Sequence, residues 1–300
     1  MEENIQNEKL KAELKIFKIK ALKEKVVLLG IIILILAELL FLVSVFKKSF
    51  FTTPVTKSYV AVFNINKTIT VDYIDKLTKK MNTLLKDKNC KEYLLIFNTP
   101  GGSPSASDEF NAFLKWINKK KRVNVYIESM AASGGYYIIS AIKPIIANKN
   151  AVVGSIGVIM PHFVIKKLAN KIGIEEDSLT IGKYKEPVSW FRKFSKKDKE
   201  YLKTHLLLPT YENFLKTVAE DRNISVEKLK KYADGKIYVA TLVKGVLVDK
   251  ISSLIQTKEE IKKRLGNIEF YEIPLEKKKL PFFNIKLSSD IGEALKEIVK

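Results

Sequence analysis

The sequence predicts an α/β domain, a parallel sheet with flanking helices, preceded by one apolar N-terminal helix. Three observations support this prediction. Apolar runs of strand length alternate with helical patterns between positions 58 and 275. The central runs, such as 93–98 (YLLIFN), are apolar at successive positions, which is typical of parallel strands buried on both faces. A further run of 21 residues, 26–46, is long enough to cross a bilayer as a helix.

The elements of the α/β domain are predicted in a regular order. Strands are expected at 59–65, 93–98, 123–128, 145–147, 151–153, 156–160 and 269–273. Helices are expected at 72–85, 105–119, 132–141, 196–219, 225–232 and 252–264. The helix at 105–119 begins with the capping-box pattern Ser105-x-x-Asp108. Because strands and helices alternate without an internal repeat, we predict one α/β domain with helical additions rather than two domains.

The apolar run 26–46 is predicted to be a retained transmembrane signal-anchor helix. Seventeen of its 21 residues are Leu, Ile, Val or Phe, and Glu38 is its one charged residue. A central acid costs about 3 kcal/mol, which the apolar residues outweigh. The run is longer than the apolar region of a cleaved signal peptide, and no small-x-small cleavage site follows it.

The lysines that flank this run predict its orientation. Seven lie in 6–25 and three in 47–66, so the N-terminus is expected in the cytoplasm and the α/β domain outside it, at the cell membrane. The predicted organisation is a charged cytoplasmic segment, the anchor, a linker, the α/β domain and a tail with an amphipathic helix at 288–299. Their respective bounds are 1–25, 26–46, 47–57, 58–275 and 276–300.

Composition excludes several classes of function. Lys and Arg total 53 against 33 acidic residues, a formal charge of +20, which suits an anionic partner such as a lipid surface. Only four of these residues are Arg, the side chain that groove and phosphate recognition favours, so no nucleic-acid partner is expected. The single cysteine, Cys90, excludes an intramolecular disulfide and a multi-cysteine zinc site.

Two glycine corners follow buried strands, where α/β sheets bind ligands. The first is 98–103 (NTPGGS), and the second is 128–137 (ESMAASGGYY). In the second, Ser133 lies at a strand-to-helix transition, a position that exposes a hydroxyl beside backbone N–H groups. A nucleophile with two sets of amide donors predicts acyl transfer. Each corner alone also fits an ordinary glycine turn that lets a helix pack on the sheet.

A serine nucleophile needs a base, and the residue pattern leaves its identity open. The chain has two histidines. His205 lies among leucines in a predicted helix, whereas His162 follows a short predicted strand and is a plausible base. A lysine can also serve, provided that burial keeps it neutral.

Five motifs in order resemble the signal peptide peptidase A family, membrane-anchored serine endopeptidases of the Clp/crotonase-like fold. They are NTPGG at 98–102, MAASGGYY at 130–137, VVGSIGVIM at 152–160, ADGKIY at 233–238 and GVLVD at 245–249. The resemblance covers roughly residues 58 to 265 and is to the short, single-domain form. It implies the Clp/crotonase-like fold for the α/β domain.

The resemblance also implies a Ser–Lys dyad. The family's nucleophile matches Ser133, and its general base lies in a Gly-x-x-Lys segment that matches 182–187 (GKYKEP). The base is therefore expected to be Lys185, with Lys183 as the neighbouring alternative. His162 remains a rival, because a histidine follows the equivalent strand in Clp-type peptidases, but the Gly-Ser-Ile-Gly and Gly-x-x-Lys context favours the lysine.

By the same resemblance, Ser155 positions the lysine, and the backbone N–H groups of Gly102 and Gly134 form the oxyanion hole. No cofactor or metal is implied. The expected substrates are released signal peptides and other short apolar or unfolded peptides. The expected partners are the lipid bilayer and further copies of the chain, in an octamer-like ring whose adjacent subunits share each site. Two alternatives remain: a crotonase-like acyl-CoA enzyme and a catalytically silent membrane scaffold.

Overall fold

The computed structural model describes residues 2–50 and 57–275, which fall into two compact units divided after Thr56. In the first unit, α1 (Glu2–Phe50) is one helix of 49 residues. Among the described residues, no helix combines the length and apolar content needed to cross a membrane. The predicted anchor 26–46 includes positions 42–46, whose side chains lie outside the described set. The tail 276–300, with its predicted helix at 288–299, also lies outside the described residues.

The second unit is built on an eight-stranded sheet with the order β6-β5-β3-β2-β1-β8, in which β4 pairs with β3 and β7. The strands are β1 (Tyr59–Ile65), β2 (Cys90–Thr99), β3 (Val123–Ala132), β4 (Ile145–Ala147), β5 (Val152–Gly154), β6 (Ile237–Val239), β7 (Lys250–Ile251) and β8 (Glu269–Glu272). The strand pairs are parallel except β5–β6, which is antiparallel. The predicted α/β architecture is confirmed, with this one antiparallel pair as a difference.

The core strands are buried because almost every residue in them is apolar. In β1, Tyr59, Val60, Ala61, Val62 and Phe63 are all buried in succession. A strand of this kind is stable only with helices on both faces of the sheet. The predicted strand 156–160 is wrong: only the two short strands before it, β4 and β5, form in this region.

The helices flank the sheet and several begin at a side-chain cap. They are α2 (Val71–Leu85), α3 (Pro104–Asn118), α4 (Gly134–Ser140), α5 (Lys166–Lys171), α6 (Lys196–Leu202), α7 (Leu208–Arg222), α8 (Val226–Lys230) and α9 (Leu254–Leu265). The predicted capping box at Ser105 is wrong. Ser103 caps α3 by accepting a hydrogen bond from Ala106 N, and Pro104 takes the first helical position, where its missing N–H costs nothing.

The second half of β3 changes its neighbour, and this change positions the site. Residues 125–127 pair with β4, whereas 130–132 pair with β5. The register against β2 also shifts by two residues between Phe97 and Asn98. Because β2 and β3 are parallel, their carboxyl ends lie at the same edge of the sheet, and the two glycine corners meet there.

Candidate active site

Ser133 lies on a tight turn between β3 and α4. Its φ of 52° and ψ of −124° are unfavourable for a residue with a side chain, and the surrounding hydrogen bonds hold it there. Its N–H donates to Gly154 O at 2.8 Å, and its carbonyl accepts from Tyr137 N at 3.0 Å. A strained strand-to-helix turn of this kind holds a nucleophile's hydroxyl at the end of a sheet.

The two glycine corners pack directly against each other at Ser133. A Cβ on Gly101 would lie 2.8 Å from Ser133 Cβ, and a Cβ on Gly134 would lie 3.3 Å from Gly102 N. The corner 98–103 is hydrogen-bonded to Ile69: Gly101 O accepts from Ile69 N, and Ser103 N donates to Ile69 O. The Gly102 N–H takes no part in these two bonds. The structure therefore brings Gly102 and Gly134 together beside Ser133, as an oxyanion hole requires.

Gly102 leaves no room for a side chain, which makes a steric prediction. In Gly102→Ala the new Cβ would lie 2.1 Å from Ile69 O, so the corner must move. We expect peptidase activity to fall about a hundredfold, the usual cost of losing an oxyanion donor, measured as kcat/KM. Gly245→Ala is the control. Gly245 also has a positive φ, 84°, so alanine strains the backbone there too, but its Cβ meets no other atom within 4 Å. Unchanged activity in Gly102→Ala would contradict the assigned role.

Two cavities flank Ser133 and share the segment 157–159. The inner cavity, of about 100 Å³, is lined by both glycines of the predicted oxyanion hole and by Pro104, Tyr137 and Phe214. The outer cavity, of about 560 Å³, is lined by Ser155, Lys203, Leu207, Tyr211 and Asp234. Because Ser133 lines both cavities, a peptide whose carbonyl lay at Ser133 could place neighbouring residues in either space.

Tyr137 and Phe214 form an aromatic wall of the inner cavity, and the Tyr137 hydroxyl already makes hydrogen bonds within the protein. Tyr137 OH donates to Asp108 Oδ1 at 2.5 Å and lies 3.0 Å from Thr217 Oγ1, and its ring lies 5.0 Å from that of Phe214. Burial and the bond to Asp108 raise the pKa of the Tyr137 phenol above its usual range. Tyr137 therefore stays neutral and serves as a wall, because a phenol with a raised pKa is a poor base near neutral pH.

Ser155 also lines the outer cavity, and it follows Gly154, whose carbonyl accepts the hydrogen bond from Ser133 N. Both residues have positive φ in this turn, 101° for Gly154 and 51° for Ser155, and the Ser155 N–H donates to Lys236 O at 2.7 Å. Both Ser133 and Ser155 line the same cavity, and the role of Ser155 in positioning a lysine stays a prediction.

Lys185 is not in this site within one chain. It is exposed, its N–H donates to Gly182 O at 3.1 Å, and it lines neither cavity. Lys183 is also exposed, with its Nζ 5.3 Å from the centroid of the Tyr184 ring. The lysine that does line the outer cavity is Lys203, which the sequence reasoning missed because nothing distinguishes it from the other lysines of a lysine-rich chain.

His162 has structural partners away from Ser133. Its Nε2 lies 2.9 Å from Ser189 O, and its ring lies 4.0 Å from that of Phe194. It lines neither cavity. His205 is exposed, with Nδ1 3.1 Å from Tyr201 O. Neither histidine is among the described residues that line the two cavities at Ser133.

We predict that His162→Ala keeps most of the peptidase activity. The substitution removes a hydrogen bond and a ring contact, so we expect a loss of about 1 kcal/mol in stability instead. Steady-state kinetics and thermal unfolding of the same preparation separate the two effects. A loss of activity as large as that of Ser133→Ala, with stability unchanged, would make His162 the base.

The sequence is similar to those of known peptidases. Residues 115–268 match the model of peptidase family S49. A relative from Methanocaldococcus jannaschii named as a protease is 37% identical over 227 residues, which cover 73% of this chain and 71% of that one. A relative from Enterococcus faecium named as signal peptide peptidase SppA is 31% identical over 187 residues, covering 61% of this chain and 54% of the relative. Protease 4 of Haemophilus influenzae is 30% identical over 203 residues, covering 65% and 33%.

Among solved structures, a ClpP1 mutant from Listeria monocytogenes aligns with a TM-score of 0.43 at 18% identity, covering 64% of this chain and 91% of that one. The chain spans about half of the Enterococcus relative and a third of Protease 4. The family match covers half of the chain, and the archaeal relative is matched over more than two thirds of its length. The chain therefore belongs to peptidase family S49, the serine-type peptidases that include signal peptide peptidase A.

Proposed function

We propose that this protein hydrolyses peptides through an acyl-enzyme on Ser133, with Lys185 of a neighbouring copy as the general base. The single observation that supports this most strongly is the strained turn at Ser133, against which the Gly102 and Gly134 corners pack. A hydroxyl beside two clustered backbone amides is suited to attack on a carbonyl and to stabilising the oxyanion that forms.

In the proposed reaction, neutral Lys185 Nζ accepts the proton of Ser133 Oγ as that oxygen bonds to the substrate carbonyl carbon. The carbonyl oxygen becomes an oxyanion beside Gly102 N and Gly134 N. When the C–N bond breaks, the proton passes from Lys185 to the leaving amine. Water then adds to the acyl-enzyme with the lysine again as base, which releases the new carboxylic acid and restores the Ser133 hydroxyl.

The exposure of Lys185 supports a base that comes from another copy of the chain. A lysine acts as a base only when a water-poor site keeps it neutral, and the isolated chain does not provide one. The region around Lys185 exposes large apolar side chains, among them Phe163, Leu179, Ile181 and Trp190, the second and third almost completely. Exposed apolar surface of this extent is typical of an interface. A ring of copies, octamer-like by the family resemblance, would cover it.

We also propose that residues 26–46 anchor the protein in the cell membrane, with the N-terminus in the cytoplasm and the catalytic unit outside. The large apolar side chains described between Val26 and Phe41 are all exposed along α1, which suits a lipid environment. Substrates would then be signal-peptide remnants and other short apolar or unfolded peptides. The Clp/crotonase-like assignment of the sheet likewise remains a prediction.

Labelling with a fluorophosphonate, combined with turnover of a fluorogenic apolar peptide, tests the proposal. We expect the reagent to be found on the peptide that contains Ser133 and to block hydrolysis. Peptide binding without labelling or turnover would favour the silent scaffold. Cleavage of an acyl-CoA thioester in preference to the peptide would favour the crotonase-like enzyme.

A further inference from the structure

The outer cavity contains one cationic side chain, Lys203, among the residues that line it. Lys203 begins a π-helical segment, Lys203–Leu207, between α6 and α7. This wider turn places Lys203, Leu207, Leu208 and Tyr211 on the wall of the cavity, at spacings of four, five and eight residues. A single π-turn within a helix is a frequent feature of functional sites.

The facing wall is fixed and close to electrically neutral. Tyr211 OH donates to Ala233 O at 2.5 Å, and Gly235 N donates to Ile156 O at 3.1 Å, so the 233–235 turn is held in place. Asp234 lines the cavity but forms an ion pair with Lys236 at 2.6 Å. In the described part of the chain, Lys203 enters no such pair, so the positive charge of the cavity wall is not balanced.

We propose that Lys203 binds a carboxylate of the substrate in the outer cavity. The inference rests on the proposed peptidase function and adds a specificity-determining residue to it. Among the described residues, no charged side chain lines the inner cavity, which has the aromatic wall of Tyr137 and Phe214, whereas the outer cavity offers a cation flanked by Leu207 and Leu208. A peptide bound at Ser133 with an apolar residue in the inner cavity and a carboxylate in the outer cavity would satisfy both. That carboxylate is either the free C-terminus of a short peptide or an Asp or Glu side chain.

Binding to the full-length Ser133→Ala protein tests this without turnover. Fluorescence anisotropy would compare one apolar peptide as the free acid and as the C-terminal amide, and a second, amidated pair that carries Glu or Gln near its C-terminus. We expect about fivefold tighter binding of at least one carboxylate form, decreasing with salt, as one cation–carboxylate pair gives. The pair that shows the preference identifies the source of the carboxylate.

Lys203→Gln in the same background should abolish this preference. Lys199→Gln is the matched control, because Lys199 is exposed on α6 one turn earlier and does not line the cavity. Equal binding of the two members within both pairs, an equal weakening of both members of the discriminating pair by Lys203→Gln, or no binding of any peptide would overturn the proposal. The proposal would also be overturned if Lys203→Gln, in the protein with intact Ser133, changed only the pH profile for cleavage of neutral peptides. That result would mean that the Lys203 charge acts on the general base and not on substrate binding.

The two proposals fail in different ways. If Lys203 has no role in binding, Ser133 still reacts with a fluorophosphonate and neutral peptides are still cleaved. If the peptidase proposal fails, Ser133 is unlabelled and no peptide is cleaved, whatever the binding measurements show.

Discussion

Replacing Ser133 with alanine is expected to reduce peptide hydrolysis by about a thousandfold or more, leaving the residual rate that the oxyanion hole and substrate binding provide. The hydroxyl forms the covalent bond in the proposed reaction, so no neighbouring group can substitute for it. The measurement is kcat/KM for a fluorogenic apolar peptide, with fluorophosphonate labelling of the same samples.

Ser129→Ala is the matched control, because Ser129 is exposed on the same strand, β3, and lines neither cavity at the site. It should keep both activity and labelling. Peptide hydrolysis that persists in Ser133→Ala would refute the nucleophile assignment. Loss of both hydrolysis and labelling in Ser129→Ala would indicate that strand β3 had been disrupted.

The second large effect is expected at Lys185. Lys185→Ala should lose activity to a similar extent, because without a neutral amine the serine hydroxyl keeps its proton. Lys183→Ala, two residues away and equally exposed, should retain activity close to that of the parent protein. The reverse result, with Lys183→Ala inactive and Lys185→Ala active, would move the base by two positions.

Mixing the two inactive proteins tests whether the base comes from another copy. If each site takes Ser133 from one subunit and Lys185 from the next, an equal mixture of co-assembled Ser133→Ala and Lys185→Ala chains restores about a quarter of the sites. If both residues belong to one chain, every site in the mixture lacks one group and activity stays at background. Dissociation by dilution should also reduce parental activity more steeply than in proportion to concentration.

Local sequence signals predicted the α/β architecture and the position of one half of the proposed site. Strands such as β1 and β2 are continuous apolar runs. Ser133 and the glycines of the two corners lie at the strand ends where the pattern places them. The failures arise where local signals conflict. Ser105 begins a capping pattern, but Pro104 is favoured at the first helical position, so Ser103 becomes the cap. Short strands such as β7, with two residues, have no periodicity to detect.

The other half of the site could not be predicted from local pattern. Lysines make up 49 of the 300 residues, so neither Lys185 nor Lys203 is distinguishable by composition. Among residues 161–195, α5 is the one regular helix or strand described, so periodicity gives no position for Lys185. Only the family resemblance selected Lys185, and only the structure placed Lys203 in the same cavity as Ser133. A base supplied by a neighbouring subunit would have no signature in one chain's hydrophobic pattern.

The most direct test is the distance from Ser133 Oγ to Lys185 Nζ in an experimental structure of the assembled, membrane-reconstituted protein. We predict that these atoms, from adjacent subunits, lie within hydrogen-bond reach, about 2.6–3.2 Å apart, with Ser155 beside them and water largely excluded. An assembly in which every Lys185 amine remains in bulk solvent, beyond the reach of any Ser133, would contradict it.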